Sequence, residues 1–267
     1  MNEPADASGN SARLPGPPPA LPLTVIAVVL TFASGASDVM SFTRLGSVFT
    51  SVMTGNMTMF GLSLARGSAS LAAHTAVAVA GYVTGVAAGT RLSWDHAERR
   101  TAAPAAPAAT PATAPGGRWP PGMTLPLLVE LTLFAGVVAG WELTSSNPAG
   151  TAQYVILALA ACAMGIQSAA VNQMGLGNVS TTYLTGTLTG LVSAITRPDG
   201  KRAGLRRPSV LIGLVLGAVL AGVFLANVPA VVPLLPLAAV VAVILLGSGT
   251  PLPAWLDPAR RQRTPSP

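Results

Sequence analysis

Long apolar runs joined by short polar connections make up most of this chain. The eight runs cover residues 21–43, 48–65, 71–90, 123–141, 151–171, 179–195, 210–227 and 230–246. No charged residue occurs from Leu143 to Thr196 or from Pro208 to Leu256. Since about 20 apolar residues suffice for a helix to span a bilayer, each uncharged stretch has room for two crossings. The pattern predicts an all-α, polytopic transmembrane helix bundle.

Composition supports the membrane class. Hydrophobic residues make up 51% of the chain and charged residues only 9%, whereas a soluble domain has roughly a quarter charged residues. The formal net charge of +6 does not indicate nucleic-acid binding, because the arginines stand at the ends of apolar runs and are not interleaved with aromatic residues. We therefore expect the lipid bilayer as a partner, and neither nucleic acid nor a soluble enzyme fold.

The polar segments divide the chain. Residues 1–20 are rich in Pro, Ser and Asn and are expected to form a disordered tail. Residues 21–248 form a single transmembrane domain, and residues 249–267 form a basic C-terminal tail. Within the domain, residues 91–121 carry a Pro/Ala-rich, low-complexity stretch, which predicts an extended, solvated linker.

An internal repeat links residues 21–143 with residues 150–248. Glycines and small polar residues recur in order, 129 to 132 positions apart, through three apolar runs. The matched positions are Gly35 with Gly165, Thr54-Gly55 with Thr185-Gly186, Thr58 with Thr189, and Gly81, Gly85 and Gly89 with Gly213, Gly217 and Ala221. Ordered matches at a fixed spacing favour a duplicated unit.

The distribution of arginine and lysine indicates how many runs cross. If all eight cross, the two sides of the membrane hold 10 and 5 basic residues. If the second and sixth runs, which carry MTGN and LTGT, enter and return, the split becomes 13 to 2. The positive-inside rule favours the sharper asymmetry. We therefore predict six full spans plus two re-entrant or broken segments, with both termini cytoplasmic and with the two repeats inverted.

Polar groups inside the apolar runs are the candidate lining of a solute or ion pathway, because ionisable groups in a span are costly and usually face a partner or cavity. The candidates are Asp38, Ser41, Thr54, Asn56, Thr58, Glu130, Gln167, Asn172, Thr185 and Thr187. Two other interpretations stay open. The hydroxyls can bond their own helix, and Asp38 can reach headgroup water or pair with Arg44. His74 is a further candidate for a proton relay, or an interfacial histidine.

Glycines at four-residue spacing predict close helix packing. Gly81, Gly85 and Gly89 form one such face, and Gly213 and Gly217 form another. We expect these faces to pack the two repeats together, with a homo-oligomer as the open alternative. No residue pattern indicates a catalytic group, a metal site or a cofactor.

The run SGASDVMSFTRLGSVFTSVMTGNMTMFG resembles the YoaK-like family of bacterial membrane proteins through its D-x-x-S-F, L-G-x-V-F and M-T-G-N elements. The later run GIQSAAVNQMGLGNVSTTYLTGTLTGL is similar to the second signature of that family. The resemblance covers residues 21–248. It implies a multi-pass protein of the bacterial cytoplasmic membrane, with about six helices and no established biochemical activity.

Three functions follow from these patterns. A transporter or channel for an unidentified small solute or ion is the preferred hypothesis, because of the repeat, the TG segments and Asp38. A structural or partner-binding membrane protein is the first alternative, and a membrane-embedded enzyme is the second.

Overall fold

The computed structural model describes residues 23–101, 122–173, 188–189, 192 and 206–247. Throughout these ranges the regular secondary structure is helical. The helices are α1 (Leu23–Arg44), α2 (Met53–Arg66), α3 (Ala69–Thr101), α4 (Thr124–Leu143), α5 (Thr151–Gln173), α6 (Arg206–Asn227) and α7 (Leu234–Gly247), with a short 3-10 turn at Pro229–Val231.

Side-chain hydrogen bonds bring several helix ends together at one face of the bundle, here called the upper face. Gln153, at the start of α5, donates from Nε2 to the carbonyl of Arg44 at the end of α1 (2.8 Å). His74, near the start of α3, has its Nε2 3.1 Å from Gln153 Oε1. Trp141, near the end of α4, donates to the carbonyl of Pro229, between α6 and α7 (3.0 Å). The opposite ends of these helices define the lower face.

Six helices, α1 and α3 to α7, are long and apolar enough to cross a membrane. Helix α2 is not among them. Its 14 residues extend roughly 21 Å, against a hydrocarbon core of about 30 Å. Helix α7 also has 14 residues, but together with the preceding 3-10 turn it forms an apolar span of 19 residues, Pro229–Gly247. Because α1 ends and α3 begins at the upper face, the chain between them leaves that face and returns to it. The prediction of six spans is confirmed, and the MTGN segment lies in this returning section.

The LTGT segment, including Thr185 and Thr187, lies outside the described residues. The helices on either side of it can still be oriented. Helix α5 starts at the upper face and ends at the lower face. Helix α6 ends at the upper face, beside Pro229, and therefore begins at the lower face.

Helices α1 and α6 run parallel, and so do α3 and α5. Contacts advance in step along each pair: Gly213 packs on Val28 and Gly217 on Phe32, four residues further along both helices. At these contacts a Cβ on the glycine would collide with a carbonyl oxygen of the neighbouring helix. The closest pairs are Gly35 with Leu214, Gly217 with Phe32, Gly85 with Cys162 and Gly165 with Tyr82. Glycine therefore sets the spacing of both helix pairs.

Helix α3 is longer than the apolar pattern predicts. The expected end lay at Thr90, with an extended linker from Arg91 onward, but the helix continues to Thr101. The prediction of extended chain is therefore wrong for residues 91–101. The added turns contain Ala, Glu and Arg, which favour helix, and the first proline comes only at Pro104.

The bundle core lies where α4 packs against its neighbours. One face of α4 is buried at three- and four-residue intervals, as expected for a helix that faces a core. Its buried residues are Pro126, Leu127, Glu130, Phe134, Val137 and Trp141. Glu130 is the one ionisable residue in this stripe.

Candidate functional site

The chain folds back into the bundle after α1. Two consecutive residues with positive φ, Gly46 (96°) and Ser47 (60°), make the turn. A side chain at Gly46 would also collide with the His74 ring. From there the loop of residues 45–52 runs back along α1 and reaches Asp38, which lies six residues before the helix end. Six helical residues correspond to roughly 9 Å, so the loop descends well below the upper face.

Asp38 holds this loop in place. The carboxylate Oδ1 accepts hydrogen bonds from the backbone N–H groups of Thr50 and Ser51 (both 2.8 Å) and from the Thr50 hydroxyl (2.9 Å). Oδ2 accepts from the Ser51 hydroxyl (2.6 Å). A carboxylate has about four acceptor positions, and the loop supplies four donors to it, three at Oδ1 and one at Oδ2. Asp38 is only 7% exposed, and its contacts favour an anchoring role over solute binding.

Asn56, the last residue of the MTGN motif, also holds the loop of residues 45–52 in place. Its Oδ1 accepts from the N–H of Phe49 (2.9 Å), and its Nδ2 donates to the carbonyl of Phe49 (2.6 Å). Asn56 is fully buried. The polar groups of a non-helical backbone within a bilayer must form hydrogen bonds with other protein groups. Asn56 provides these bonds for both the N–H and the carbonyl of Phe49.

The remaining first-repeat candidates divide between the loop and the surface of α2. Ser41 donates from its hydroxyl to the carbonyl of Val48, so it also supports the loop. Thr54 and Thr58 are exposed on α2. The Thr58 hydroxyl donates to the Thr54 carbonyl (3.1 Å), which is the bonding within one helix that the alternative interpretation expects.

The candidates of α4 and α5 lie apart from this loop. Glu130 is fully buried, and Gln167 is 1% exposed. Gln167 Nε2 donates to the Leu30 carbonyl (3.1 Å) and to the Ser34 hydroxyl (3.0 Å), both on α1. Asn172 is exposed near the lower end of α5.

His74 and Arg44 belong to the upper face and not to the Asp38 cluster. His74 Nδ1 lies 2.7 Å from the Ser70 carbonyl, and its ring stacks on Tyr154 with centroids 4.3 Å apart. The Arg44 guanidinium donates to Asn147 Oδ1 (3.2 Å). Asp38 therefore accepts its hydrogen bonds from the loop and does not pair with Arg44, which bonds Asn147 instead. Among the described residues no cluster of three or more metal-ligating side chains occurs.

Sequence reasoning missed the partners of Asp38. Thr50 and Ser51 stand just before the MTGN motif, and their hydroxyls were the available signal, since a buried carboxylate needs donors. Their backbone N–H groups give no sign in the sequence that they face inward. Ser34, the partner of Gln167, was also missed.

These features define a polytopic helical membrane protein, whose described residues form six helices able to span a membrane and one short helix in a segment that leaves and returns to the same face. Residues 26–247 match the family described as protein of unknown function (DUF1275). The chain belongs to this family.

A curated relative agrees with this assignment. The chain is 28% identical over 168 residues to the UPF0700 transmembrane protein YoaK of Bacillus subtilis (strain 168). The match spans 63% of this chain and 65% of that relative, slightly under two thirds of each. No solved structure matches the chain.

Proposed function

We propose that this protein moves a small solute or ion across the membrane, along a path beside the loop of residues 45–52. The observation that supports this proposal is the non-helical loop of residues 45–52, whose buried residues Thr50 and Ser51 are bonded to Asp38 inside the bundle. Broken segments near the membrane midplane form the binding sites of many secondary transporters. Such backbone is tolerated only where it is buried in protein or lines a wet cavity.

The arrangement of the glycine contacts supports the proposed two-fold repeat. Gly35 contacts Leu214, and Gly165 contacts Tyr82. Gly165 lies 130 positions after Gly35, and Leu214 lies 132 positions after Tyr82, so one contact maps onto the other. The two glycines occupy antiparallel helices, because α1 ends at the upper face where α5 begins. An inverted repeat therefore accounts for both contacts.

The second pair of contacts follows the same rule. Gly217 meets Phe32, and Gly85 meets Cys162. The separations are again 132 positions between the glycines and 130 between their partners. Inverted repeats that meet near the midplane are a common architecture of transporters.

Orientation follows from the basic residues. On the predicted topology, in which the MTGN and LTGT segments both return to their own face, 13 of the 15 lysines and arginines are assigned to the lower side. The positive-inside rule then makes the lower face cytoplasmic and places both termini there. The proposal therefore puts the loop of residues 45–52 on the outer side of a bacterial cytoplasmic membrane.

Replacing Asn56 with leucine tests the proposed path. We expect solute flux to fall at least about tenfold, since the two backbone groups of Phe49 lose their partner at a cost of roughly 2 to 4 kcal/mol. Purified protein in proteoliposomes is challenged on a solid-supported membrane with jumps of sodium, potassium, ammonium, acetate and neutral amino acids. The wild type should give a current or pH change with at least one of these probes, above that of protein-free vesicles.

Thr132→Val is the matched control. Thr132 is exposed on α4 and its hydroxyl bonds the Leu128 carbonyl of its own helix (2.9 Å), so flux should remain at the wild-type level. If no probe moves through the wild-type protein, or if the Asn56 variant is as active as the control, the transport proposal fails. Copurification of a partner without flux would instead favour a structural role.

A further inference from the structure

Glu130 and Asp38 both carry buried carboxyl groups, but the two differ in their hydrogen bonding. Asp38 accepts four hydrogen bonds, whereas neither oxygen of Glu130 has a hydrogen-bond partner among the described residues. Glu130 is also fully inaccessible. A buried polar group without a partner is expensive, so a side chain of this kind calls for a functional explanation.

Glu130 lies between two layers of the core. Leu127, three residues before it, packs with Leu30 of α1 and Ala170 of α5. Phe134, four residues after it, belongs to a second apolar cluster that contains Met164 of α5. Glu130 therefore occupies the level between these layers.

Gln167 occupies the same level from the side of α5. It lies three residues from both Met164 and Ala170, which belong to the two layers. Its Nε2 is bonded to α1, while its Oε1 has no partner among the described residues. Three unpartnered acceptor oxygens, two from Glu130 and one from Gln167, thus share one level of the core, and the hydroxyl of Ser168, the next residue of α5, is also buried without a partner among the described residues.

Within the described part of the chain, no charged neighbour pairs with the buried carboxyl group of Glu130. The helices packed on α4 are α5, α7 and α3, and none of their described side chains makes a hydrogen bond or an ion pair with Glu130. Their described ionisable residues are His74, Tyr82 and Arg91 on α3 and Tyr154 and Cys162 on α5. His74 and Tyr154 stack on each other near the upper face, and Arg91 is exposed. Asp38 and Arg44 of α1 are bonded elsewhere.

We propose that Glu130 binds and releases a proton as part of the transport cycle, with Gln167 Oε1 as the acceptor for the protonated group. On binding, hydronium gives up a proton, so that one O–H bond breaks in hydronium, one forms on Glu130 and water is left; on release, water takes the proton back. A proton suits the site better than a metal cation, because hard cations require about six oxygen ligands and this level supplies at most four unpartnered oxygens among the described residues. The inference rests on the proposed transport function, for which it names the coupling ion.

The position of Glu130 also sets the side from which the proton is exchanged. It lies six residues after Thr124, the first residue of α4, which corresponds to roughly 9 Å from the lower face. The loop anchored by Asp38 descends from the upper face. Glu130 therefore lies nearer the lower face and Asp38 nearer the upper face, and we expect Glu130 to exchange its proton with the lower side.

Infrared spectroscopy of the protein in lipid vesicles tests this proposal without reference to any substrate. The protonated carboxylic acid of Glu130 should give a carbonyl band that shifts in heavy water and disappears as the pH is raised. Glu130→Gln should remove this band. Glu142→Gln is the matched control, since Glu142 is exposed at the other end of the same helix and should leave the band unchanged. Gln167→Met should shift the band, because the acceptor is lost.

Each outcome decides the matter. A wild-type band that is unaffected by pH and heavy water, or a band that survives in Glu130→Gln, would overturn the proposal. Intact helicity of the Glu130 variant by circular dichroism guards against a folding artefact. If the band titrates as expected while no probe crosses proteoliposomes, proton binding stands and the transport function fails. If a probe crosses the proteoliposomes but the band does not titrate, the transport function stands and proton binding by Glu130 fails.

Discussion

Replacing Asp38 with alanine is expected to lower the free energy of unfolding by roughly 3 to 5 kcal/mol, the largest effect of any single substitution considered for this protein. The change leaves the buried backbone N–H groups of Thr50 and Ser51 and the Ser51 hydroxyl without their acceptor, whereas the Thr50 hydroxyl keeps Ser37 Oγ at 3.0 Å. These groups cannot turn to water where they lie. Unfolding of the purified protein in mixed detergent–SDS micelles gives the measurement.

Asparagine at the same position separates anchoring from proton or ion binding. Asp38→Asn keeps the oxygen that accepts three of the four bonds, so we expect a loss of roughly 1 to 2 kcal/mol and retained flux. If the asparagine variant is fully stable but inactive, Asp38 binds the solute or ion directly. If the alanine variant unfolds like the wild type, the loop does not depend on Asp38.

The second large effect is expected at Gly217. Alanine there should destabilise the protein by roughly 2 to 3 kcal/mol, because the added Cβ would collide with the Phe32 carbonyl of α1. That atom belongs to the backbone, so the two helices must move apart. The same unfolding measurement reports the change.

Gly222, five residues further along α6, provides the control. A Cβ at this position meets nothing within 4 Å, and alanine favours helix over glycine by about 1 kcal/mol. Gly222→Ala should therefore be neutral or slightly stabilising. Equal effects at the two glycines would show that helix propensity, and not close packing of α1 on α6, governs this helix.

Hydrophobic spacing was sufficient to locate the apolar runs, because a helix that spans lipid needs about 20 apolar residues, but it gave eight candidates and not six. The return of the MTGN segment followed from a different signal, the placement of arginine. Helix α2 ends where α3 begins, at Gly67 with a positive φ of 63°, and its 14 residues were not distinguishable by apolarity alone from a short span.

The contacts within the site were harder to predict. The bond between Asp38 and Thr50 joins residues 12 positions apart, and it depends on how the loop folds back along α1. Likewise, the pattern of α4 identifies the face that carries Glu130, but the lack of a partner for Glu130 depends on which side chains of α5 and α1 reach that level. Tertiary placement, rather than local preference, decides both.

The glycines are an intermediate case. Their four-residue spacing predicts that another helix comes close, and the repeat pointed to packing between its two halves. The spacing says nothing about direction. That α3 runs parallel to α5, and α1 to α6, follows from which helix ends meet at the upper face, and the contacts that advance together along each pair agree with it.

Labelling on either side of the segment that contains α2 shows whether that segment crosses the membrane. In a Cys162→Ala background, single cysteines are placed at Ser47, exposed in the turn after α1, at Ala69, exposed at the start of α3, and at Thr124, exposed at the lower face. A membrane-impermeant maleimide is then applied to intact cells and to inverted vesicles. We predict that Ser47→Cys and Ala69→Cys react from one side and Thr124→Cys from the other. Reaction of the Ser47 and Ala69 positions from opposite sides would mean that the MTGN segment crosses the membrane, and would contradict the returning path of this segment.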